Sequence, residues 1–175
     1  MRKPRLIKQD SRYHVSARAN RREMILGPQF IKELFLKTVI RAKSRYKFEI
    51  ISFCLMENHF HFIIRPCEKQ SLSKIMQWIL SVFAVSYNKT IGENGHVWYD
   101  RFWSRPIDDI RQFISVFEYI MANPVKAKMV RKEEDYAFSG IRHLLDRNYS
   151  VLSPPCQLIW MLFPKYISKN LIPGK

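Results

Sequence analysis

Two histidines one residue apart, His59 and His61, are a pair able to do chemistry together. They lie in Met56-Glu57-Asn58-His59-Phe60-His61-Phe62-Ile63-Ile64-Arg65, directly after the apolar run of residues 48–55. The two runs read as strands joined by a tight turn at Glu57-Asn58. A strand repeats every two residues, so His59 and His61 share one face while Phe60, Phe62 and Ile64 share the other. Two imidazoles about 7 Å apart on one strand face can hold a single ion. The same pattern arises where both rings are core residues, and the spacing alone does not separate these readings.

A second pair is Tyr119 and Asn123. Residues 108–123 read as a helix whose buried stripe is Ile110, Phe113, Phe117 and Ile120. At 100° per residue, Tyr119 lies roughly 140° and Asn123 roughly 100° from the centre of that stripe. Four residues apart, they share a flank. By themselves they also fit a surface tyrosine and a polar helix end. Asp108 and Asp109 suit the positive end of this helix, and Pro124 is expected to stop it. Between the two pairs, residues 96–107 interleave Trp98, Tyr99, Phe102 and Trp103 with Arg101 and Arg105. Aromatic rings stack on unpaired bases and guanidinium groups meet phosphates, so the mixture suits single-stranded nucleic acid. A strand packing its rings inward is the competing reading. Some of these rings are expected in the core, with Arg101 and Arg105 exposed.

The elements that must carry these groups follow from periodicity. Residues 13–18 alternate and form a strand with basic ends. Residues 1–22 hold eight Lys or Arg against Asp10 alone, a density that favours a phosphate-contacting edge over a merely solvated one. Residues 28–44 form a helix with Ile31, Leu34, Phe35, Thr38, Val39 and Ala42 inward and Lys32, Lys37 and Arg41 outward. Residues 71–90 form another, capped by Ser71 or Ser73, with Ile75, Met76, Ile79, Val82, Phe83 and Ser86 inward. Short helices are expected at 141–146 and 157–168, around a Ser-Pro-Pro break. No internal repeat is present.

With 175 residues the chain supports one domain with a real core. Thirty Lys and Arg against 15 Asp and Glu leave a net charge of +15, which points to an acidic partner, nucleic acid first. No apolar run approaches the length of a membrane span, and the basic N-terminus has no apolar segment of signal type behind it. A membrane partner is therefore not expected. Cys54, Cys67 and Cys156 are odd in number and scattered, so they are read as free thiols in a reducing cytoplasm, not as a disulfide or zinc framework.

Four stretches occur together in order: Tyr13-His14-Val15 with Arg18 and Asn20-Arg21; Cys54-Leu55-Met56-Glu57-Asn58-His59-Phe60-His61; Arg101-Phe102-Trp103; and Tyr119-Ile120-Met121-Ala122-Asn123-Pro124-Val125. On these the chain resembles the REP-associated tyrosine transposases, within the single-tyrosine HUH transposase superfamily. The resemblance implies an α+β fold, an α/β sandwich of ferredoxin-like type. Its central antiparallel sheet would carry the His-x-His on a central strand, with helices packed on it. Residues 1–140 would form the transposase domain and residues 141–175 an extension packed on it.

The resemblance also implies a site. His59 and His61 would hold a divalent metal, Mg²⁺ or Mn²⁺, with Asn123 as a further ligand. The donor set alone would equally suit zinc. Tyr119 would be the nucleophile that cuts and rejoins DNA through a 5′-phosphotyrosine. The partner would be single-stranded DNA beside a hairpin or palindrome, contacted by Arg12, Arg18, Asn20, Arg21, Arg101 and Arg105. Monomer and homodimer both remain open. Three positions depart from the usual pattern: Glu57 replaces a proline, Ala19 a glycine and Met121 a histidine. The metal and nucleophile positions are filled. Two rival readings stand beside this one: a DNA-hairpin binder that no longer cuts, and a basic RNA-binding protein whose histidines belong to the core.

Overall fold

The computed structural model describes Lys8 and residues 11–166. Arg2, Lys3 and Arg5 of the basic N-terminal stretch, and residues 167–175 of the expected extension, lie outside the described residues. Four strands form one sheet: β1 (Arg12–Arg18), β2 (Phe48–Leu55), β3 (His59–Pro66) and β4 (Trp103–Ile107). Their spatial order is β2-β3-β1-β4, with every neighbouring pair antiparallel. Helices α1 (Gln29–Arg45) and α2 (Leu72–Ile91) connect β1 to β2 and β3 to β4. This is the ferredoxin-like βαββαβ arrangement, and it makes β3, with His59 and His61, an inner strand.

The two faces of the sheet differ chemically because each strand alternates. One face presents Val15, Phe60 and Phe62, all fully buried, to α1 and α2. Phe35 of α1 is the hub there, with ring centroids 4.9 Å from Phe60, 6.2 Å from Phe62, 5.0 Å from Phe83 and 6.1 Å from Trp98. Burying one such phenylalanine stabilises the fold by about 1.5–3 kcal/mol. The other face, with His14, Ser16 and Arg18 opposite Ile63, His61 and His59, is covered in part by α3 (Ile110–Lys126). Beyond it, α4 (Gly140–Leu145) and α5 (Gln157–Leu162) pack from the C-terminal side, where Phe163 stacks on Phe117 at 4.1 Å.

Several local features explain the helix ends. Ser71 caps α2 by accepting the Lys74 N–H, and Gly92 ends it at φ +74°, a left-handed turn that suits glycine. Asp109 caps α3 by accepting the Gln112 N–H at 2.8 Å. The hairpin between β2 and β3 is tight, closed by Met56 N–H donating to the His59 carbonyl. Neither Glu57 nor Asn58 has positive φ. The turn is held from outside instead: Leu26 N–H donates to the Glu57 carbonyl and Ala19 N–H to the Asn58 carbonyl, both at 2.8 Å.

Four expectations need correction. Pro124 does not stop α3, which runs on to Lys126. The proline removes a single ladder bond near the end, and Ala127 N–H closes the helix on the Asn123 carbonyl at 2.9 Å. Ile110 is 45% exposed, because it opens the helix ahead of the first buried ring, Phe113. Lys32 is buried, not outward: its ammonium donates to the Gly27 carbonyl at 2.7 Å and lies 5.3 Å from the centre of the Phe138 ring. The last expected helix is shorter than 157–168: α5 ends at Leu162, and a 3-10 turn, Pro164–Tyr166, follows.

Candidate active site

The sheet register and α3 bring His59, His61 and Tyr119 to one cleft of about 380 Å³, walled also by Arg18, Arg101 and Trp103. His61 is buried and His59 half-buried. Their rings are 5.0 Å apart, nearly perpendicular. The Tyr119 ring stands edge-on to His61 at 5.3 Å, and the tyrosine, 43% exposed, lines the cleft. Lys126, two turns further along α3, places its ammonium 5.6 Å from the centre of the Tyr119 ring.

His14 joins this group from β1, and nothing in the sequence spacing singled it out. Its Nε2 is 3.0 Å from His61 Nδ1, and its ring lies 5.2 Å from Trp103 and 5.9 Å from Tyr119. The available signal was alternation: His14 shares a strand face with Ser16 and Arg18. The cross-strand register that sets Ser16 opposite His61 cannot be read from β1 alone.

The site keeps its imidazoles neutral. Burial lowers the pKa of His61 to about 3, helped by His59, His14 and the Arg18 guanidinium. Burial lowers His14 to about 4 and also depresses His59, which Arg18 depresses further. A neutral imidazole is the form that binds a metal. His59 Nδ1 lies 2.7 Å from Asn58 Oδ1, so an Nδ1–H donated there leaves Nε2 as its free lone pair. His61 Nε2 is buried with no hydrogen-bond partner among the described residues, an orphaned polar atom of the kind a cation would satisfy. The donor set fits a divalent ion held by few protein ligands. Among the described residues, no group of three or more His, Cys, Asp or Glu is placed to hold a metal.

The other expected residues divide. Asn123 is half-buried one turn beyond Tyr119 and does not line the cleft; its Nδ2 donates to the Tyr119 carbonyl at 2.7 Å. Arg18 and Arg101 line the cleft and are exposed. Arg105 is exposed and pairs with His14 across β1 and β4. Arg12 lies at the far end of β1, its guanidinium 5.6 Å from the Phe113 ring centre. Asn20 has a backbone role: its Oδ1 accepts the N–H of Arg21, which has a left-handed φ of 49°. A second cleft of about 480 Å³, between α2 and residues 95–102, shares Asp100 and Arg101 with the first.

The three departures find places. Glu57 is exposed and does not line the cleft. Ala19 sits at φ −59°, so no glycine is required there. Met121 is buried in the core. Among the described residues, no helix is long and apolar enough to cross a membrane.

Comparison with known proteins agrees with this fold. The family of IS200-like transposases matches residues 7–123. A REP-associated tyrosine transposase of Escherichia coli is 26% identical over 121 residues, covering 69% of this chain and 69% of that protein. A relative from Haemophilus influenzae, described in similar terms, is 24% identical over 107 residues and is covered over 61% of its length. The solved structure of a REP-associated tyrosine transposase bound to a REP hairpin superposes with a TM-score of 0.72 at 23% identity, over 88% of each chain.

Proposed function

The chain belongs to the IS200-like transposase family, and on that premise we propose that it is a metal-dependent enzyme that cuts and rejoins single-stranded DNA beside hairpin sequences. Tyr119 is the nucleophile in this reading. The observation that carries it is the convergence of Tyr119, His59 and His61, from an α-helix and an inner strand, on one cleft edged by two exposed arginines.

The residues divide the work. Arg18 and Arg101 neutralise backbone phosphates, and the half-exposed Trp103 and exposed Tyr99 offer faces on which bases stack. The strand then runs past Tyr119 toward the second cleft through the shared Arg101. His59 and His61 would hold Mg²⁺ or Mn²⁺, and Asn123 would serve as the further ligand from α3 only after its side chain turns from the Tyr119 carbonyl toward the cleft. When bound, the ion supplies Lewis-acid polarisation and orientation of the phosphate. The Tyr119 oxygen attacks phosphorus in line, the bond to the 3′-oxygen breaks, and that oxygen leaves as a free 3′-hydroxyl. The new 5′-phosphotyrosine retains the phosphodiester's energy, so an incoming 3′-hydroxyl reverses the step without ATP. The hairpin is the partner found on the structural relative, and the net charge of +15 suits such a polyanion.

The test is covalent. Labelled single strands carrying hairpins from the DNA around the coding sequence are incubated with protein and Mg²⁺ or Mn²⁺, then denatured. Wild type is expected to give an adduct that survives denaturation, and Tyr119→Phe none. No adduct from wild type over such substrates would leave the non-cutting hairpin binder as the better account.

A further inference from the structure

The contact between His14 and His61 has a chemical direction. Their facing atoms, Nε2 and Nδ1, are 3.0 Å apart, so one nitrogen carries the shared proton and the other accepts it. In the first arrangement His14 donates. His61 then holds its own proton on Nε2, a buried N–H with no acceptor among the described residues. That N–H would lie in a cleft whose wall includes the Arg18 guanidinium, and it could bind no cation. In the second arrangement His61 donates from Nδ1. Its Nε2 is then a lone pair, which a neighbouring guanidinium favours and a metal requires. His14 carries its proton on Nδ1, an atom that is not stranded in the same way.

We propose that His14 is a positioning residue of the site: it accepts the Nδ1 proton of His61 and so holds the His61 Nε2 lone pair ready for the ion. This rests on the metal reading of the cleft given above. The arrangement around His14 is built to hold a ring still. Trp103 meets it edge-on at 5.2 Å and Tyr119 edge-on at 5.9 Å. The strand register fixes its backbone between Ile63 and Arg105. His59 has a matching arrangement through Asn58 Oδ1, 2.7 Å from its Nδ1. Both histidines of the pair therefore have an acceptor on Nδ1, one from the turn and one from the neighbouring strand. Hydrogen-bonded partners of this kind fix ring orientation and raise ligand basicity.

The experiment reads the proton directly. Long-range ¹H–¹⁵N NMR of the metal-free protein reports which nitrogen of His61 is protonated, with no need for catalysis. Mn²⁺ affinity is measured separately from the EPR signal of the free ion. His14→Phe keeps an aromatic ring between Trp103 and Tyr119 but offers no acceptor; His14→Gln restores one through its amide oxygen. The expected result is Nδ1-protonated His61 in wild type, and a shift toward Nε2–H in His14→Phe. Mn²⁺ affinity falls about 10- to 100-fold in that variant and largely recovers in His14→Gln. Finding Nε2–H in wild type, or a His14→Phe protein with unchanged tautomer and affinity, would overturn the proposal. A wild-type protein with the expected tautomer that takes up no Mn²⁺ would refute the metal site itself, leaving only the hydrogen-bond assignment.

Discussion

Replacing Arg18 or Arg101 with glutamine is expected to weaken single-strand binding by an amount that salt erases. Both guanidinium groups are exposed walls of the Tyr119 cleft. If each neutralises one phosphate of a single strand, its loss lowers the slope of log affinity against log salt by about 0.7. Counterion release then sets the size of the effect. One contact is worth about eightfold in affinity at 50 mM salt, about fourfold at 150 mM and under about twofold at 500 mM. The double variant should lose roughly the product of the two, about 15-fold at 150 mM, provided the contacts are independent. Exposed substitutions of this kind shift stability by within about 0.5 kcal/mol, so melting temperature serves as the folding control. Fluorescence anisotropy with a labelled hairpin-flanked oligonucleotide, titrated at the three salt concentrations, makes the measurement. A variant that binds like wild type at 50 mM would remove that arginine from the phosphate track. A deficit that stays constant from 50 to 500 mM would show a base contact in place of a phosphate contact.

Trp103→Ala should give the opposite signature, a loss of about 1–3 kcal/mol in strand binding that salt leaves unchanged, because stacking releases no counterions. Chelation with EDTA is expected to abolish the covalent adduct while hairpin binding, measured by the same anisotropy, persists. Phe35→Ala removes the ring at the centre of the α1/α2 layer and should cost about 3–5 kcal/mol, read as a lower urea midpoint. Stability should also fall in acid. His14, His59, His61 and His143 all have pKa values lowered by burial, so below about pH 6.5 the unfolded chain takes up protons that the folded chain refuses. Their contribution is complete above about pH 6.5 and is lost as the pH falls toward the folded values, about 4 for His14 and about 3 for His61. The slope is at most about 1.4 kcal/mol per pH unit for each imidazole, and urea melts of metal-free protein between pH 7 and 4 check it.

Much of this was legible in the chain because the signals were periodic and local. The alternation around His59 and His61 specified a strand with a polar face and an aromatic face, and both exist. Most of the stripes of α1 and α2 needed only helical spacing: Ile75, Met76, Ile79 and Phe83 are buried, while Val82 and Ser86 are half-buried, and of the two expected caps Ser71 is the one that serves. The misreadings have two causes: Lys32 and His14 turned on partners distant in sequence, whereas Ile110 and Pro124 turned on where a helix begins and ends. Lys32 is inward because Gly27 and Phe138 meet it there, which no helical wheel shows. The turn at Glu57-Asn58 keeps ordinary backbone angles because residues 19–26 hydrogen-bond its carbonyls. Pro124 sits inside α3 because one lost bond near a helix end is tolerable. His14 was visible as part of a strand and of the Tyr13-His14-Val15 stretch, but not as a partner of His61, since their meeting is a product of the β1–β3 register. The pairing of Tyr119 with the histidines required α3 to cross the polar face, and residue spacing along one helix carries no such information.

In the proposed reaction Tyr119 becomes covalently joined to the 5′ side of a cut strand. Proteolysis of the wild-type adduct followed by tandem mass spectrometry tests it most directly. The expected product is one modified peptide, containing Tyr119, whose phenol carries a 5′-phosphorylated oligonucleotide, with the released fragment ending in a 3′-hydroxyl that a polymerase extends. An oligonucleotide attached at any other residue, or joined through its 3′ end, would contradict it.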